Sequence, residues 1–501
     1  MADSRPPTSR RGNGVTDTKQ DVPFEGLSIA GERYEASDGA VREIHDPSTN
    51  TVIARVARAT TDDVNRAVRA AYERFAAGEW RRASARRRGE VLGNVAALIR
   101  TNQERLAQLE SRNAGKPIAA ARSEIGGVAT TFAFYAGAVD KVHGQTIPGA
   151  ADGTVMTFRE PLGVCGAIVP WNFPMLILSW KVAPALAMGN SVVVKPAELT
   201  PLTALAMADL AIEAGLPEGV LNVIPGSGST AGHSLVRHPL VRKISFTGST
   251  GVGTRVMQAA AEDITRVSLE LGGKSASIVF ADADLDTCVE SSVSAVYDNA
   301  GQDCCARSRV LVERSIHDEF VRRFAQRAEQ LRLGRTDDEA TEVGPLISPG
   351  RRETVEGYVD LGKEEGATLV TGGQRPNGDL GDGNYLTPAV FTDVRSDMRL
   401  MREEVFGPVV GIQPFDGEDG AVALANDSIY GLSGSLWTRD VGRALRVARA
   451  VETGMLSVNS SNSVHIEAPF GGMKQSGIGR EQGMVALDHY SEYKTVFIAD
   501  T

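Results

Sequence analysis

Apolar residues follow two different spacings along this chain. After Thr61, Val64, Ala67, Val68, Ala71 and Phe75 form one stripe, and Leu92, Val95, Ala96 and Ile99, then Leu106 and Leu109, continue in the same style. Recurrence every three or four positions predicts amphipathic helices. From Val164 the pattern changes to short, nearly continuous apolar runs. Val164–Val169, Ser191–Lys195, Leu221–Ile224 and Lys243–Phe246 read as buried strands, separated by helical runs at Met175–Met188, Leu202–Ala214 and Gly251–Ala261. After Gly272 further strands are predicted at Ser277–Phe280, Arg309–Val312, Thr368–Val370, Val409–Ile412, Ser433–Leu436 and Met455–Val458. Alternating strands and helices joined by short loops imply a doubly wound parallel α/β sheet, and the renewed alternation implies a second such domain. Tyr493–Ile498 alternates once more, as an edge strand suited to assembly.

Composition narrows the class. With 501 residues the chain is long enough for two or three structural units. It carries 53 Lys plus Arg against 63 Asp plus Glu, a net charge of −10. That balance disfavours nucleic-acid and anionic-membrane partners, which demand a basic surface. No uncharged apolar run reaches the roughly 18 residues of a membrane span, because Lys181 interrupts the nearest case, Met175–Gly189. Four cysteines, Cys165, Cys288, Cys304 and Cys305, are too few for a disulfide scaffold and fit a reduced, cytoplasmic compartment. Met1 to Pro23 has the composition of a disordered tail, and no apolar segment follows Arg10-Arg11 to make an export signal. The basic run Arg81–Arg88 reads as a solvated helix start or loop.

Several loops carry residues suited to chemistry, each with a plainer alternative. Asn172 stands between two prolines in Pro170-Trp171-Asn172-Phe173-Pro174, where a fixed amide could donate to an oxyanion or the segment could simply turn into a helix. Lys195-Pro196-Ala197-Glu198 follows a strand, and is either a plain surface turn or the place for a carboxylate that binds ribose hydroxyls and repels a 2′-phosphate. Phe246-Thr247-Gly248-Ser249 opens a helix whose N-terminus suits a pyrophosphate, without the G-x-G-x-x-G spacing. Glu270, opening Glu270-Leu271-Gly272-Gly273-Lys274, is either a general base or a carboxylate satisfied by Lys274 or backbone amides. Cys304, in Gly301-Gln302-Asp303-Cys304-Cys305, is either a nucleophile or a small buried hydrophobe. Glu404 and Phe406 precede a strand, and Pro469-Phe470-Gly471-Gly472 begins a glycine-rich loop reaching Glu481.

Taken together, the ordered series PWNFP, KPAE, FTGS, ELGGK, GQxC, EEVFGP and PFGG…SGxGRE resembles the aldehyde dehydrogenase superfamily over roughly residues 25 to 500. The resemblance implies an NAD-dependent, thioester-forming enzyme with Cys304 as nucleophile and Glu270 as base. It implies an oxyanion held by Asn172 and the Cys304 backbone N–H, and a proton relay through Lys181 and Glu481. Cofactor contacts are implied at Val169, Trp171, Lys195, Glu198, Gly228, Gly248, Ser249, Leu271, Glu404 and Phe406. No metal is implied. The family fold supplies an NAD-binding domain (24–143 and 162–271), a catalytic domain (272–480) and oligomerisation strands (144–161 and 490–501), so a homo-oligomer, dimer or tetramer, is expected. Acylating relatives that pass the acyl group to coenzyme A generally lack the ELGGK glutamate, so Glu270 argues for hydrolysis.

By position, Ile177, Trp180, Asp298, Asp303, Glu467 and Phe470 fall around the substrate tunnel. Its acids would favour a cationic aldehyde, and Asn299–Cys304 is similar to the same stretch of 4-aminobutyraldehyde dehydrogenases. An ω-aminoaldehyde or trimethylammonium aldehyde is therefore the expected substrate, with broad aliphatic or aromatic specificity as the alternative. In an extended segment Asp303 and Cys304 would point oppositely, sparing the thiol from the carboxylate. A thiol esterase would leave Lys195, Glu198, Glu404 and Phe406 without a purpose. A catalytically silent structural relative would not be expected to keep both Cys304 and Glu270.

Overall fold

The computed structural model describes residues 22–149 and 151–500; the disordered-tail expectation for Met1 to Pro23 lies outside them except for its last two residues.

One sheet has eight strands, in the order Gly477–Ile478, Arg266–Glu270, Val241–Thr247, Val164–Ile168, Ser191–Lys195, Leu221–Val223, Leu27–Ile29, Glu32–Tyr34. Its five central strands are parallel. From Val164–Ile168 the chain first builds outward on one side, then returns to add Val241–Thr247 on the other. The resulting switch point at the carboxyl ends of these two strands is where a doubly wound sheet opens a crevice for ligands. A second sheet of seven strands runs Thr368–Thr371, Ala389–Thr392, Val409–Phe415, Arg309–Glu313, Ala276–Val279, Gly434–Trp437, Ser457–Val458, parallel except for its first pair. Ala389–Thr392 and the strands before Thr61 escaped the apolar-run reading because they are short or partly polar.

The helices form where the stripes predict. Thr61–Ala77 begins with a reciprocal cap between Thr60 and Asp63 and ends at Gly78, whose φ of 82° suits glycine. Val64, Ala67, Val68 and Ala71 lie fully buried on its inner face. A buried valine contributes about 1.5–3 kcal/mol and a cap about 1 kcal/mol, so packing holds this helix more than capping does. Pro174–Ala187 is buried on every side, starting at Pro174, two residues after Asn172. The basic run becomes a turn and the start of Ala85–Thr101, capped by Ser84; Arg88 departs from the solvated reading, its Nε donating to the Ala187 carbonyl at 2.7 Å. Ile118–Ala138 is a 21-residue helix that periodicity missed, because it is apolar on most of its circumference.

A third sheet stands apart from both. Gly153–Pro161 pairs antiparallel with Ser491–Ala499 along nine residues, with Thr146–Ile147 on its other edge. Its surface exposes Phe158, Tyr493, Phe497 and Ile498 by about half each. No helix among the described residues is long and apolar enough to cross a membrane.

Candidate active site

The loops after the first sheet and before the strand Arg309–Glu313 converge, and glycines permit the approach. A Cβ at Gly272 would sit 2.3 Å from Glu404 Oε2, and one at Gly273 would sit 2.3 Å from the Cys304 carbonyl oxygen. The Gly273 N–H donates to Glu404 Oε1 at 3.0 Å. The two glycines following Glu270 thus bring the turn bearing Cys304 and the loop bearing Glu404 against one strand end.

Glu270 ends the strand Arg266–Glu270 and is buried, and neither carboxylate oxygen has a hydrogen-bond partner among the described residues. Neither Lys274 nor a backbone amide satisfies it. Burial, reinforced by the charge of Glu481 and opposed by Lys181 and Arg480, raises its pKa well above the ordinary carboxylate value. Behind it Lys181 and Glu481 form a buried ion pair, with the Ser245 hydroxyl donating to Glu481 Oε1 at 3.0 Å. Gly471 leaves room for the base, since a Cβ there would lie 2.8 Å from Glu270 Oε1.

Cys304 sits in a tight turn. Asn299, Ala300 and Gly301 adopt φ of 51°, 57° and 69°, a left-handed run stabilised by side-chain amides. Asn299 Nδ2 donates to the carbonyls of Asn172 and Gln302 at 3.0 and 3.2 Å, and Gln302 Oε1 accepts the Ile347 N–H at 2.9 Å. Asn172 Nδ2 spends one hydrogen on the Gln302 carbonyl at 3.0 Å, leaving one for another acceptor. The Gln two residues before Cys304 therefore works as a structural pin.

The extended conformation expected for Asp303-Cys304 is not observed. The Ala306 N–H donates to the Asp303 carbonyl at 3.0 Å and the Cys305 N–H to Asp303 Oδ1 at 2.9 Å. A side chain that accepts from the amide two residues on closes the chain into a turn. In consequence a carboxylate oxygen of Asp303 and the sulfurs of Cys304 and Cys305 all lie within 4.8 Å of one another. The Cys304 thiol pKa is pushed well above its ordinary value by its hydrogen bond with Cys305, by burial, and by the charges of Asp303 and Glu404. Burial likewise raises the Asp303 carboxyl, with Asp298 adding to the effect and Arg307 opposing it.

Two environments flank the turn. Ile177, Trp180, Phe470, Cys305, Leu432 and Met455 form an apolar cluster that includes part of Cys304 and Phe173, with the Trp180 and Phe470 rings 4.9 Å apart. On the outer side, a cavity of about 790 Å³ is lined by Asp298, Asp303, Cys305, Glu290, Arg307 and the serine-rich loop Ser460–Val464. Glu467, expected on the same tunnel, is exposed and lines neither region. Glu290 is paired with Arg327 at 2.8 Å, and Arg307 donates to surrounding carbonyls and hydroxyls. Close by, Lys116 is buried with its Nζ 2.5 Å from Glu124 and 3.9 Å from the centre of the Phe173 ring. Burial pushes Glu124 up to about 8, despite Lys116 and with help from Glu110 and Asp298. Sequence reasoning missed this group, because spacing does not reveal which charges a fold will bury.

A second cavity, about 490 Å³, opens between Val241–Thr247 and the helix Thr250–Ala261, lined by Ile168, Gly228, Gly232, Phe246, Val252 and Val256 among others. Ser249 caps that helix at its N-terminus without using its hydroxyl on the backbone. Leu271 packs over Gly253, and the Gly248 N–H donates to the Glu270 carbonyl at 3.0 Å. The Val169 N–H donates to the Lys195 carbonyl at 3.2 Å. Lys195 Nζ donates to the Pro196 and Gly226 carbonyls, and burial brings its pKa down to about 8. Glu198 is held by Arg58 at 3.2 Å and Arg42 at 3.6 Å, two arginines the sequence did not single out. The Phe406 ring meets Trp171 edge to face at 5.2 Å, and Arg351 lies over it at 5.6 Å.

Comparison with known proteins identifies the family. Residues 34–496 match the model of the aldehyde dehydrogenase family. A betaine aldehyde dehydrogenase of Bacillus subtilis is 43% identical over 473 residues, covering 94% of this chain and 96% of its own. Human retinal dehydrogenase 2 is 44% identical, covering 95% and 92%. The crystal structure of Staphylococcus aureus betaine aldehyde dehydrogenase in complex with NAD+ superposes with a TM-score of 0.94 at 40% identity, covering 95% of each chain.

Proposed function

The chain belongs to the aldehyde dehydrogenase family and is an NAD-dependent oxidoreductase, and we propose that it oxidises a cationic aldehyde through a thioester on Cys304. The observation that carries the chemistry is Glu270, a buried carboxylate with both oxygens unpartnered beside the turn of Cys304. A buried carboxylate without hydrogen bonds costs stability whatever its role, so its presence points to a function, and a raised pKa suits a general base.

The residues present fit NAD. Apolar walls at Ile168, Phe246, Val252 and Val256 suit an adenine, and Ser249 at a helix N-terminus suits the pyrophosphate. Glu404, half-buried and pushed up to about 7 by desolvation, stands by Phe406 to hold the nicotinamide end. When bound, NAD would supply a hydride acceptor, the two-electron oxidant that the aldehyde-to-acid conversion requires. The chain's own residues do the rest. Cys304 gives its proton to water and, as the thiolate, attacks the aldehyde carbon, whose oxygen takes the negative charge. The free hydrogen of Asn172 and the Cys304 N–H stabilise the oxyanion, each by roughly 3–4 kcal/mol in comparable sites. Glu270 then takes a proton from the water that hydrolyses the thioester, and the Lys181–Glu481 pair behind it passes the proton on.

Asp298 and Asp303 on the outer cavity favour an ω-aminoaldehyde or trimethylammonium aldehyde. Broad specificity for apolar aldehydes is the second reading, supported by the Ile177, Trp180 and Phe470 walls and by Arg307 among the acids. NADH formation with hexanal and 4-aminobutyraldehyde decides between them. The cationic reading expects kcat/KM at least tenfold higher for the amine, and equal values would remove it. The exposed apolar sheet Gly153–Pro161 with Ser491–Ala499 is assigned to homo-oligomerisation, and the cytoplasm is the proposed location.

A further inference from the structure

The turn that carries Cys304 does more than present a nucleophile. It gathers two sulfurs and one carboxylate oxygen within 4.8 Å of one another, on three consecutive residues. Tetrahedral zinc with metal–sulfur bonds near 2.3 Å separates two sulfurs by roughly 3.8 Å, and a carboxylate oxygen comes slightly closer. The observed separations therefore exceed those of a three-ligand metal site by little more than about 1 Å at most.

We propose that Cys304, Cys305 and Asp303 bind a thiophilic divalent cation, of the zinc or cadmium class, and that its occupancy blocks catalysis. Two thiolates select a soft cation over magnesium or calcium. Asp303 Oδ1 accepts one amide hydrogen bond, which fixes the carboxylate and leaves its remaining lone pairs for the metal. Cys305 and Asp303 line the 790 Å³ cavity, so the ion has a route to two of its three ligands. On the same wall Asp298 adds to the attraction and Arg307 opposes it, so the two thiolates carry the selectivity. On binding, each thiol gives its proton to solvent and its sulfur lone pair to the cation; nothing is oxidised or reduced.

The site itself does not depend on the catalytic reading, whereas the inhibition rests on Cys304 being the nucleophile. Cadmium titrated into the full chain, free of chelators and added thiols, is followed by its thiolate charge-transfer absorption at equilibrium. One cadmium per chain is expected. Cys305→Ser, which removes one sulfur, and Asp303→Asn, which keeps the turn's acceptor, are each expected to weaken binding at least about tenfold. No charge-transfer band in the wild type, or unchanged affinity in both variants, overturns the site. A chain that binds cadmium with full absorption yet oxidises aldehyde at its original rate overturns the inhibition and the nucleophile assignment, and leaves the site standing.

Discussion

Replacing Asp303 with asparagine isolates one electrostatic effect at the nucleophile. The Asp303 carboxylate lies no more than 4.8 Å from the Cys304 sulfur. A negative charge there opposes thiolate formation, so removing it lowers the thiol pKa and lets the thiolate appear at lower pH. At 4.8 Å two unit charges repel by about 0.9 kcal/mol with water-like screening and about 3.5 kcal/mol at an effective dielectric of about 20. The acidic limb of kcat/KM should accordingly move down by roughly 0.6 to 2.5 pH units. Both residues are half-buried rather than sealed, so the lower half of that range is expected. Asparagine keeps an oxygen to accept the Cys305 N–H, so the turn survives. The assay is the pH profile of NADH formation, with iodoacetamide alkylation of Cys304 in the cofactor-free enzyme as a second readout. A limb that stays in place, or moves up, would refute the reasoning.

Two shorter predictions follow from the same geometry. Gly471→Ala places a methyl 2.8 Å from Glu270 Oε1; displacing the base by that contact should cut steady-state turnover on the order of 10²-fold while a rapid first burst of NADH persists, and unchanged turnover in a stopped-flow trace would contradict the placement of Glu270. Phe497→Glu puts a charge in the exposed apolar strand Ser491–Ala499; light scattering should report a smaller particle than the wild type, and an unchanged mass would clear this sheet of any role in assembly.

Much of the fold is legible in the residues, for reasons that differ by element. Val164–Ile168 and Ser191–Lys195 are parallel strands covered on both faces, so they stand out as nearly continuous apolar runs. The stripe from Val64 to Ala71 marks its helix because the opposite face meets water. Ile118–Ala138 is hidden for the opposite reason, having little polar face to set a period. The motif residues come together as their order implies, yet local conformation does not follow from spacing. Three left-handed residues and an aspartate-closed turn bring Asp303 and Cys305 beside Cys304 where alternation would have separated them. The burial of Lys116 and Glu124, and the pairing of Glu198 with Arg58 and Arg42, depend on contacts between segments far apart in sequence.

The central claim is a covalent acyl group on Cys304 that Glu270 helps to hydrolyse. Its most direct test is Glu270→Gln mixed with NAD and aldehyde, quenched in acid and mapped by peptide mass spectrometry. The account predicts an acyl mass increment on the peptide containing Cys304, absent in Cys304→Ala, alongside about one equivalent of NADH per site. NADH formed at the full steady rate with no adduct, or an adduct that survives in Cys304→Ala, would contradict it.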